Sequence, residues 1–492
     1  MLGFNLDRAT IPALHRRMSR GALTAVALTE AYLERIRTLD GSLHSVLTVN
    51  RSARAQAAAS DRRRRDGRSR GPLDGIPVLL KDNMDTTSMP TTAGSRALLA
   101  EPPARDATLV RRLRAAGAVI LGKANLSEWA NFRSAGSTSG WSGVGGQTAN
   151  PHVLDRNPCG SSSGSAVAVA ASLTQVAIGS ETDGSIVCPA GVCGVVGHKP
   201  SLGLVSRAGM IPVTAEQDTA GPMARHVVDA AITLSVLQGR DRLDPATSAY
   251  PADQPTDYAA LLRPDALRGA RIGRWRLDLG PAVGKVVSEV VRALRGRGAT
   301  VVEVDLPYQD ELDELEYPTL FTEFHRDIDA YLATRTGVPR TLAELIGYNR
   351  SDPLEQTCFP GQDLFDRSMA SAAPDDPTYL RQRARLTTLA RRSIDEVLTA
   401  HRLDAIVAPS CQPAWVSNCA TGDGDIVASS TPAAAAGYPA VSVPAGFTGP
   451  LPVGITFMST RWADARVLAL AADFERATTA RRPPRFLPTL PA

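Results

Sequence analysis

One short segment of the chain, SGSAVAVAASL at 163–173, carries small and apolar residues on every side. A helix without a polar face has to be enclosed by other elements, so this segment predicts a helix buried inside a large core. A chain of 492 residues is long enough to build such a core. Short apolar runs predict the buried strands around it, at 76–83, 118–125, 176–179, 404–410 and 440–446.

The order of these elements favours a layered α/β fold. The run 106–117 has helical periodicity and lies between two predicted strands, which gives a strand, helix, strand order. We expect an α/β/α sandwich around a mixed central β-sheet, with helical elaborations. Residues 1–70 are expected to be N-terminal helices that pack on the core, and residues 71–492 the main domain. Within it, 225–400 is expected to be a variable helical region that shapes the substrate site, so the chain is effectively one domain.

Composition excludes several classes of protein. The net charge is +4, from 54 basic and 50 acidic residues, which is too small to indicate a nucleic-acid partner. The arginine run at 61–71 is interleaved with Asp61 and Asp66 and predicts a solvated helix end. The first residues are spaced as amphipathic helices, and no apolar stretch is long enough for a membrane span. We therefore expect a soluble, cytoplasmic protein whose six cysteines, which form no CxxC pair, are reduced and mostly buried thiols.

Lysine occurs only at positions 81, 123, 199 and 285, whereas arginine supplies the other cations. Arginine can replace lysine on most surfaces, but it cannot lose its proton and act as a base. Lys285 lies in a helix-like run and needs no explanation beyond solvation. Lys123 and Lys199 have no assigned role, and His152 and His198 are expected to be structural. Because neither an HExxH motif nor a CxxC pair occurs, a metal site is not expected.

Two passages rich in glycine and serine flank the predicted buried helix. They read NPCGSSSGS at 157–165 and GSETDGSIVCPAG at 179–191, with KDN at 81–83 before them and GVVGHKPS at 194–201 after them. In order and chemistry, these motifs resemble the amidase-signature family. GYPAVSVPAG at 437–446 and LPVGITF at 451–457 are similar to its C-terminal strand motifs. The resemblance spans most of the chain and leaves 225–400 poorly constrained.

The resemblance implies an α/β enzyme that cleaves a carboxamide bond without a cofactor. It implies Ser185 as the nucleophile, Ser161 as a bridging serine on a cis peptide bond, and Lys81 as the base. Lys81 must be neutral to accept a proton, so its pKa has to fall from about 10.4 toward about 7 to 8. The implied oxyanion hole consists of the backbone N–H groups of Thr182, Asp183, Gly184 and Ser185. The residues expected to support the site are Gly160, Ser162 and Glu181.

The chain departs from the family pattern at three positions. Glu181 and Asp183 stand where the family often has Asp and Gly, and Val187 stands where it often has Arg. A carboxylate facing an oxyanion hole would be unfavourable, so we expect Asp183 to point away into a supporting hydrogen bond. Glu181 is expected to play a similar supporting part.

The run SEWANFRSAGSTSGWSGVGGQTANP, together with the two serine motifs, looks like bacterial peptide amidases, which release ammonia from the C-terminal carboxamide of peptides. Trp129, Phe132 and Trp141 are then candidates for lining the cleft on the acyl side. The expected partner is a small-molecule or peptide amide, with no nucleic acid and no membrane, and a homodimer is left open. Three alternatives also stay open: the amidase subunit of a tRNA-dependent amidotransferase, an amide-forming acyltransferase, and a catalytically silent scaffold.

Overall fold

A mixed sheet of eleven strands runs through the computed structural model, which describes residues 4–358 and 361–491. The strands of this sheet are β1 (Val46–Val49), β2 (Pro77–Lys81), β3 (Val119–Ala124), β6 (Val176–Glu181), β7 (Val196–Lys199), β8 (Thr219–Ala224), β9 (Arg271–Trp275), β10 (Thr300–Val304), β11 (Ala405–Pro409), β12 (Ala440–Thr448) and β13 (Leu451–Met458). A separate two-stranded ribbon consists of β4 (Trp141–Ser142) and β5 (Gly146–Gln147).

Helices cover the sheet. They are α1 (Ile11–Ser19), α2 (Ala25–Leu39), α3 (Ala53–Arg65), α4 (Thr108–Ala115), α5 (Ser163–Ala170), α6 (Val187–Cys193), α7 (Val227–Leu237), α8 (Pro281–Gly296), α9 (Gln309–Leu332), α10 (Leu342–Ser351), α11 (Asp363–Met369), α12 (Pro377–His401), α13 (Thr431–Ala436) and α14 (Asp464–Thr478). The predicted α/β fold with a mixed central sheet is confirmed. Within the described ranges, no helix combines the length and apolarity that crossing a bilayer requires.

The strand order β1-β3-β2-β6-β8-β7-β12-β13-β11-β9-β10 places three parallel strands side by side. Strand β2 pairs in parallel with β3 on one side and with β6 on the other. Parallel strands end at the same edge of a sheet, where loops bring polar residues together. Lys81 and Glu181, the last residues of β2 and β6, therefore lie at one edge.

Helix α5 is enclosed, as its sequence predicts. All eight of its residues are buried, and it packs against α6 and strands β6 and β8. Alanine, valine, glycine and serine suit this position because their small side chains let sheet and helix approach closely. The helix starts directly after Ser162, so its burial fixes the position of the loop that precedes it.

Two long helices from the variable region reach the same edge of the sheet. Helix α9 packs against α12, and both contact α13. The region 225–400 is helical as expected, but it also contributes β9 and β10, which were not predicted. Their residues are partly exposed and their sequences, RIGRW and TVVEV, are short, which weakens the strand pattern. Residues 4–70 likewise contain strand β1 in addition to helices, and the division at residue 70 stays a prediction.

The expectation of reduced cysteines is wrong for four of the six. Cys159 is bonded to Cys188, and Cys358 to Cys419. The cysteines of each pair are 29 and 61 residues apart in the chain, so only the folding of loops against one another brings them together. Cys193 and Cys411 are free and buried.

Candidate active site

Lysine and serine side chains meet at the edge where β2 and β6 end. Lys81 is fully buried, and its Nζ donates hydrogen bonds to Ser161 Oγ at 2.7 Å, Ser180 Oγ at 2.9 Å and the Ser180 carbonyl at 3.1 Å. All three acceptors are uncharged. Burial lowers the pKa of Lys81 to about 7, and the more distant carboxylates of Asp218 and Glu181 only partly oppose this effect.

Ser161 lies in the loop that leads into α5, and Ser185 lies in the turn that leads into α6. The peptide bond between Gly160 and Ser161 is cis. The Ser162 N–H donates to the Ser185 carbonyl at 3.1 Å, and the Cys159–Cys188 disulfide joins the same two segments. The loop and the turn are therefore linked by a backbone hydrogen bond and by a covalent bond.

The turn before α6 presents backbone N–H groups without protein acceptors. Within the described part of the chain, the N–H groups of Asp183, Gly184 and Ser185 donate to no protein atom. Gly184 has φ +74°, and a Cβ there would lie 3.0 Å from Ser430 Oγ. Glycine is thus favoured both by its backbone conformation and by the close approach of Ser430. Such free donors can bind a negatively charged oxygen.

Glu181 holds the start of α6. Its Oε2 accepts hydrogen bonds from the N–H groups of Ile186 at 2.7 Å and Val187 at 3.0 Å. Burial raises the pKa of Glu181, and the charge of Lys199 acts against that rise. The carboxylate therefore fixes the residues that directly follow Ser185.

The Asp183 carboxylate is engaged on the side of α13 and α9. Its Oδ2 accepts a hydrogen bond from Thr431 Oγ1 at 2.6 Å. It also lies beside Glu316, and burial followed by this neighbouring charge raises the pKa of Glu316 well above its usual range.

The remaining predicted residues lie around this edge. A Cβ at Gly160 would overlap Ser127 Oγ, and Ser162 Oγ donates to the Ser180 carbonyl at 3.0 Å. Trp129 and Phe132 belong to one apolar cluster with residues of α9 and α11, and Trp141 packs with Cys358 in a separate cluster. All three aromatic side chains are buried.

The residues without an assigned role have structural contacts. Lys123 Nζ lies 2.9 Å from Asp82 Oδ1 and also donates to the Met84 carbonyl and Thr91 Oγ1. His152 lies against the Cys193 carbonyl, and its burial lowers its pKa to about 4. His198 lies 3.2 Å from Asp464. Lys199 is buried, and its charge acts on Glu181.

Sequence reasoning missed three residues of this site. Ser180 accepts from Lys81, the Asn83 amide donates to Ser180 Oγ at 2.9 Å, and Asp218 accepts from Thr182 Oγ1 at 2.5 Å. Ser180 and Asn83 stand inside the recognised motifs, directly before Glu181 and two residues after Lys81, so their positions could have indicated contact. Asp218 stands in no motif, and nothing in its neighbourhood of the sequence distinguishes it.

Comparison with known proteins agrees with this geometry. The family model described as Amidase matches residues 27–468. A probable amidase of Arabidopsis thaliana is 38% identical over 98% of this chain and 93% of the relative. The crystal structure of native peptide amidase from Stenotrophomonas maltophilia is 48% identical, with a TM-score of 0.94 over 97% of this chain and 99% of that one. One chain of the glutamyl-tRNA(Gln) amidotransferase of Chloroflexus aggregans is 35% identical over 97% of this chain and 98% of the relative.

Proposed function

The chain belongs to the amidase family, and from that membership we propose that Ser185 attacks the carbonyl carbon of a carboxamide with Lys81 as its base. The observation that carries the proposal is the 2.7 Å contact between Lys81 Nζ and Ser161 Oγ, made by a lysine whose burial brings its pKa to about 7. A lysine with this pKa is substantially neutral near pH 7 and can accept a proton.

In the proposed reaction, Ser161 passes the proton between the other two residues. Ser185 gives its hydroxyl proton to Ser161, which gives its own to Lys81, while the Ser185 oxygen bonds to the substrate carbon. The Lys81 ammonium then returns a proton through Ser161 to the departing nitrogen, the C–N bond breaks, and ammonia leaves. Water attacks the acyl-enzyme and loses a proton through Ser161 to Lys81. The proton returns to the Ser185 oxygen as its C–O bond breaks, which releases the acid and free Ser185.

Backbone N–H groups stabilise the negative charge that develops on the substrate oxygen. The proposed donors are those of Thr182, Asp183, Gly184 and Ser185. Loss of one oxyanion-hole donor typically costs about 3 to 4 kcal/mol in the transition state. The hydrogen bond from Thr431 Oγ1 to Asp183 Oδ2 supports this assignment, because it holds that oxygen toward α13.

The proposed substrate is a peptide that ends in a primary carboxamide. The likeness to the Stenotrophomonas maltophilia peptide amidase supports it, because that identity of 48% exceeds the 35% shared with the amidotransferase chain. Val187 adds support, since its side chain is buried in an apolar cluster where the amidotransferase pattern often has arginine. The amidotransferase function stays the alternative, and an amide-forming acyltransferase is a variation in which an amine replaces water.

The cytoplasmic location and the homodimer stay predictions. Two disulfides weigh against the predicted location, because disulfides persist mainly in oxidising compartments. Thiol labelling of the protein in intact cells tests the predicted location. Labelled cysteines at 159, 188, 358 and 419 would favour the cytoplasm, and unlabelled ones would favour an oxidising compartment.

Ammonia release tests the proposed function. The purified chain is offered a peptide amide, simple aliphatic and aryl amides, and glutamine, with Ser185→Ala as the matched inactive variant. We expect ammonia from the peptide amide with wild type alone, together with labelling of Ser185 by a fluorophosphonate probe. Release from glutamine alone, dependent on partner chains, would favour the amidotransferase, and no labelling would favour the scaffold.

A further inference from the structure

A small cavity lined by both polar and apolar residues lies close to the proposed base. It is lined by Asn83, Trp129, Ser180, Thr182 and Asp218, and by apolar residues that include Ile211. The space open to the centre of a water-sized molecule is about 10 Å³. That is about the room that one water molecule needs, and too little for a larger ligand.

Two residues that line this cavity each carry a buried polar atom that has no hydrogen-bond partner among residues 4–358 and 361–491. Asn83 Oδ1, an acceptor, and Trp129 Nε1, a donor, are both unpaired, although their residues are only 5% and 2% exposed. An unpaired buried polar group costs about 1 to 3 kcal/mol, so native proteins pair such groups, often through an ordered molecule. One molecule that donates to Asn83 and accepts from Trp129 would satisfy both.

The backbone at Trp129 is held in an unusual conformation. Trp129, Ala130 and Asn131 have φ values of 49°, 58° and 68°, in the left-handed region that such residues rarely occupy. A buried ion cluster fixes this turn, because Arg133 contacts both Glu128 at 2.7 Å and Glu355 at 3.2 Å. Residues held in this way concentrate at functional positions, where surrounding packing maintains them.

Hydrogen bonds connect the cavity to Lys81. The Asn83 amide donates to Ser180 Oγ, and Ser180 Oγ accepts from Lys81 Nζ, both at 2.9 Å. On its other side, Asp218 and Pro212 also line a cavity of about 200 Å³ that Arg207 and Asp244 border.

We propose that the cavity binds one uncharged molecule of the size of water that both donates and accepts hydrogen bonds. Water and ammonia share this chemistry. Water fills the site in the resting enzyme, and ammonia can occupy it once the first half of the reaction has released it. The ammonia part rests on the proposed function, whereas the binding of water does not.

The first test is a high-resolution crystal structure of the wild-type enzyme without substrate. We expect one ordered molecule within hydrogen-bond distance of both Asn83 Oδ1 and Trp129 Nε1. Trp129→Phe removes the donor while keeping an aromatic ring, and should lose that molecule or lower its occupancy. Trp275→Phe, the same change at a buried tryptophan of β9, should keep it. An empty cavity in wild type, or an unchanged molecule in Trp129→Phe, would overturn the proposal.

The second test separates ammonia from water. A peptide methyl ester serves as acyl donor in ammonium buffers, and the ratio of amide to acid is measured against free ammonia. If ammonia binds the cavity, the ratio of amide to acid reaches a plateau as the concentration of free ammonia rises. Trp129→Phe should then raise the ammonia concentration at half-saturation about three- to tenfold, as the loss of one hydrogen bond predicts. Trp275→Phe should leave it unchanged. A linear ratio, with the ordered molecule present in the crystal, assigns the site to water alone.

These outcomes are distinguishable from failure of the proposed function. If the ester is not hydrolysed at all, the amide-cleaving role of Ser185 is wrong, whereas the crystal structure reports on the cavity without any turnover. If the ester is hydrolysed and the wild-type cavity is empty, the proposed function stands and this inference is wrong.

Discussion

Lys81 and Lys123 occupy neighbouring positions in the sheet, but the groups that contact their side chains differ in charge. Both are fully buried, and they lie on the adjacent parallel strands β2 and β3. The ammonium group of Lys123 lies 2.9 Å from the Asp82 carboxylate, whereas that of Lys81 meets only hydroxyl and carbonyl oxygens. Burial without a contacting carboxylate makes Lys81 easy to deprotonate, and burial with one makes Lys123 a structural cation. The two buried lysines therefore differ in the groups that contact them and not in their burial.

The largest expected effect comes from Lys81→Arg. Arginine keeps the positive charge but cannot become neutral, so we expect kcat/KM for a peptide amide to fall at least about 10⁴-fold. Steady-state ammonia release measures the loss, and Lys285→Arg, the same change at an exposed lysine, serves as control. If Lys81→Arg hydrolyses the peptide amide within about tenfold of wild type, Lys81 is not the base, and its proposed difference from Lys123 is wrong.

Lys123→Met tests the other side of the comparison. It leaves the Asp82 carboxylate buried without its cation, so the free energy of unfolding should fall by about 3 to 5 kcal/mol in urea titrations. Activity per folded molecule, normalised by fluorophosphonate labelling, should stay within about threefold of wild type, because Lys123 contacts none of the three proposed catalytic residues. Adding Asp82→Asn should restore part of the stability. Lost activity at unchanged stability would place Lys123 in the catalytic set.

The pH dependence of kcat/KM should follow the neutral form of Lys81. Because burial lowers its pKa to about 7, the neutral fraction falls as the pH drops below that value. We expect kcat/KM to be constant above about pH 8 and to fall about tenfold between pH 8 and pH 6. A profile that is flat across this range, or that falls as the pH rises, would be inconsistent with a neutral lysine base.

The smallest expected effect comes from Asp218→Asn. The Asp218 carboxylate is the largest influence that favours the charged form of Lys81, so its removal should lower the pKa of Lys81 further. The acid limb of the profile should move to lower pH by up to about one unit. Asp229→Asn is the control, because Asp229 is also buried but accepts hydrogen bonds from Gln175 and from the N–H of Ile11 at the start of α1. It should leave the acid limb of the pH profile unchanged. A shift toward higher pH would contradict the sign of this effect.

The apolar runs and the motifs sufficed to predict the fold class, because they are local patterns. The roles of Lys81, Ser161 and Ser185 follow from the family resemblance and stay predictions. The motifs did not predict the partners that separate Lys81 from Lys123. Asp82 follows Lys81 directly in the chain yet contacts Lys123, a pairing that depends on the register of β2 against β3. The two disulfides and the contact of Asp218 with Thr182 were not predicted for a similar reason. In each of them, the two residues are distant in the sequence and meet only in the folded chain.

The most direct test of the account is the titration of the lysine side chains themselves. The chain contains four lysines, so enzyme labelled with ¹³C at lysine Cε should give four resonances, and Lys81→Arg and Lys123→Met identify two of them. We predict that the resonance absent from Lys81→Arg titrates with a pKa of about 7 in the wild-type enzyme. If the Lys81 side chain stays protonated up to about pH 9, the account is contradicted.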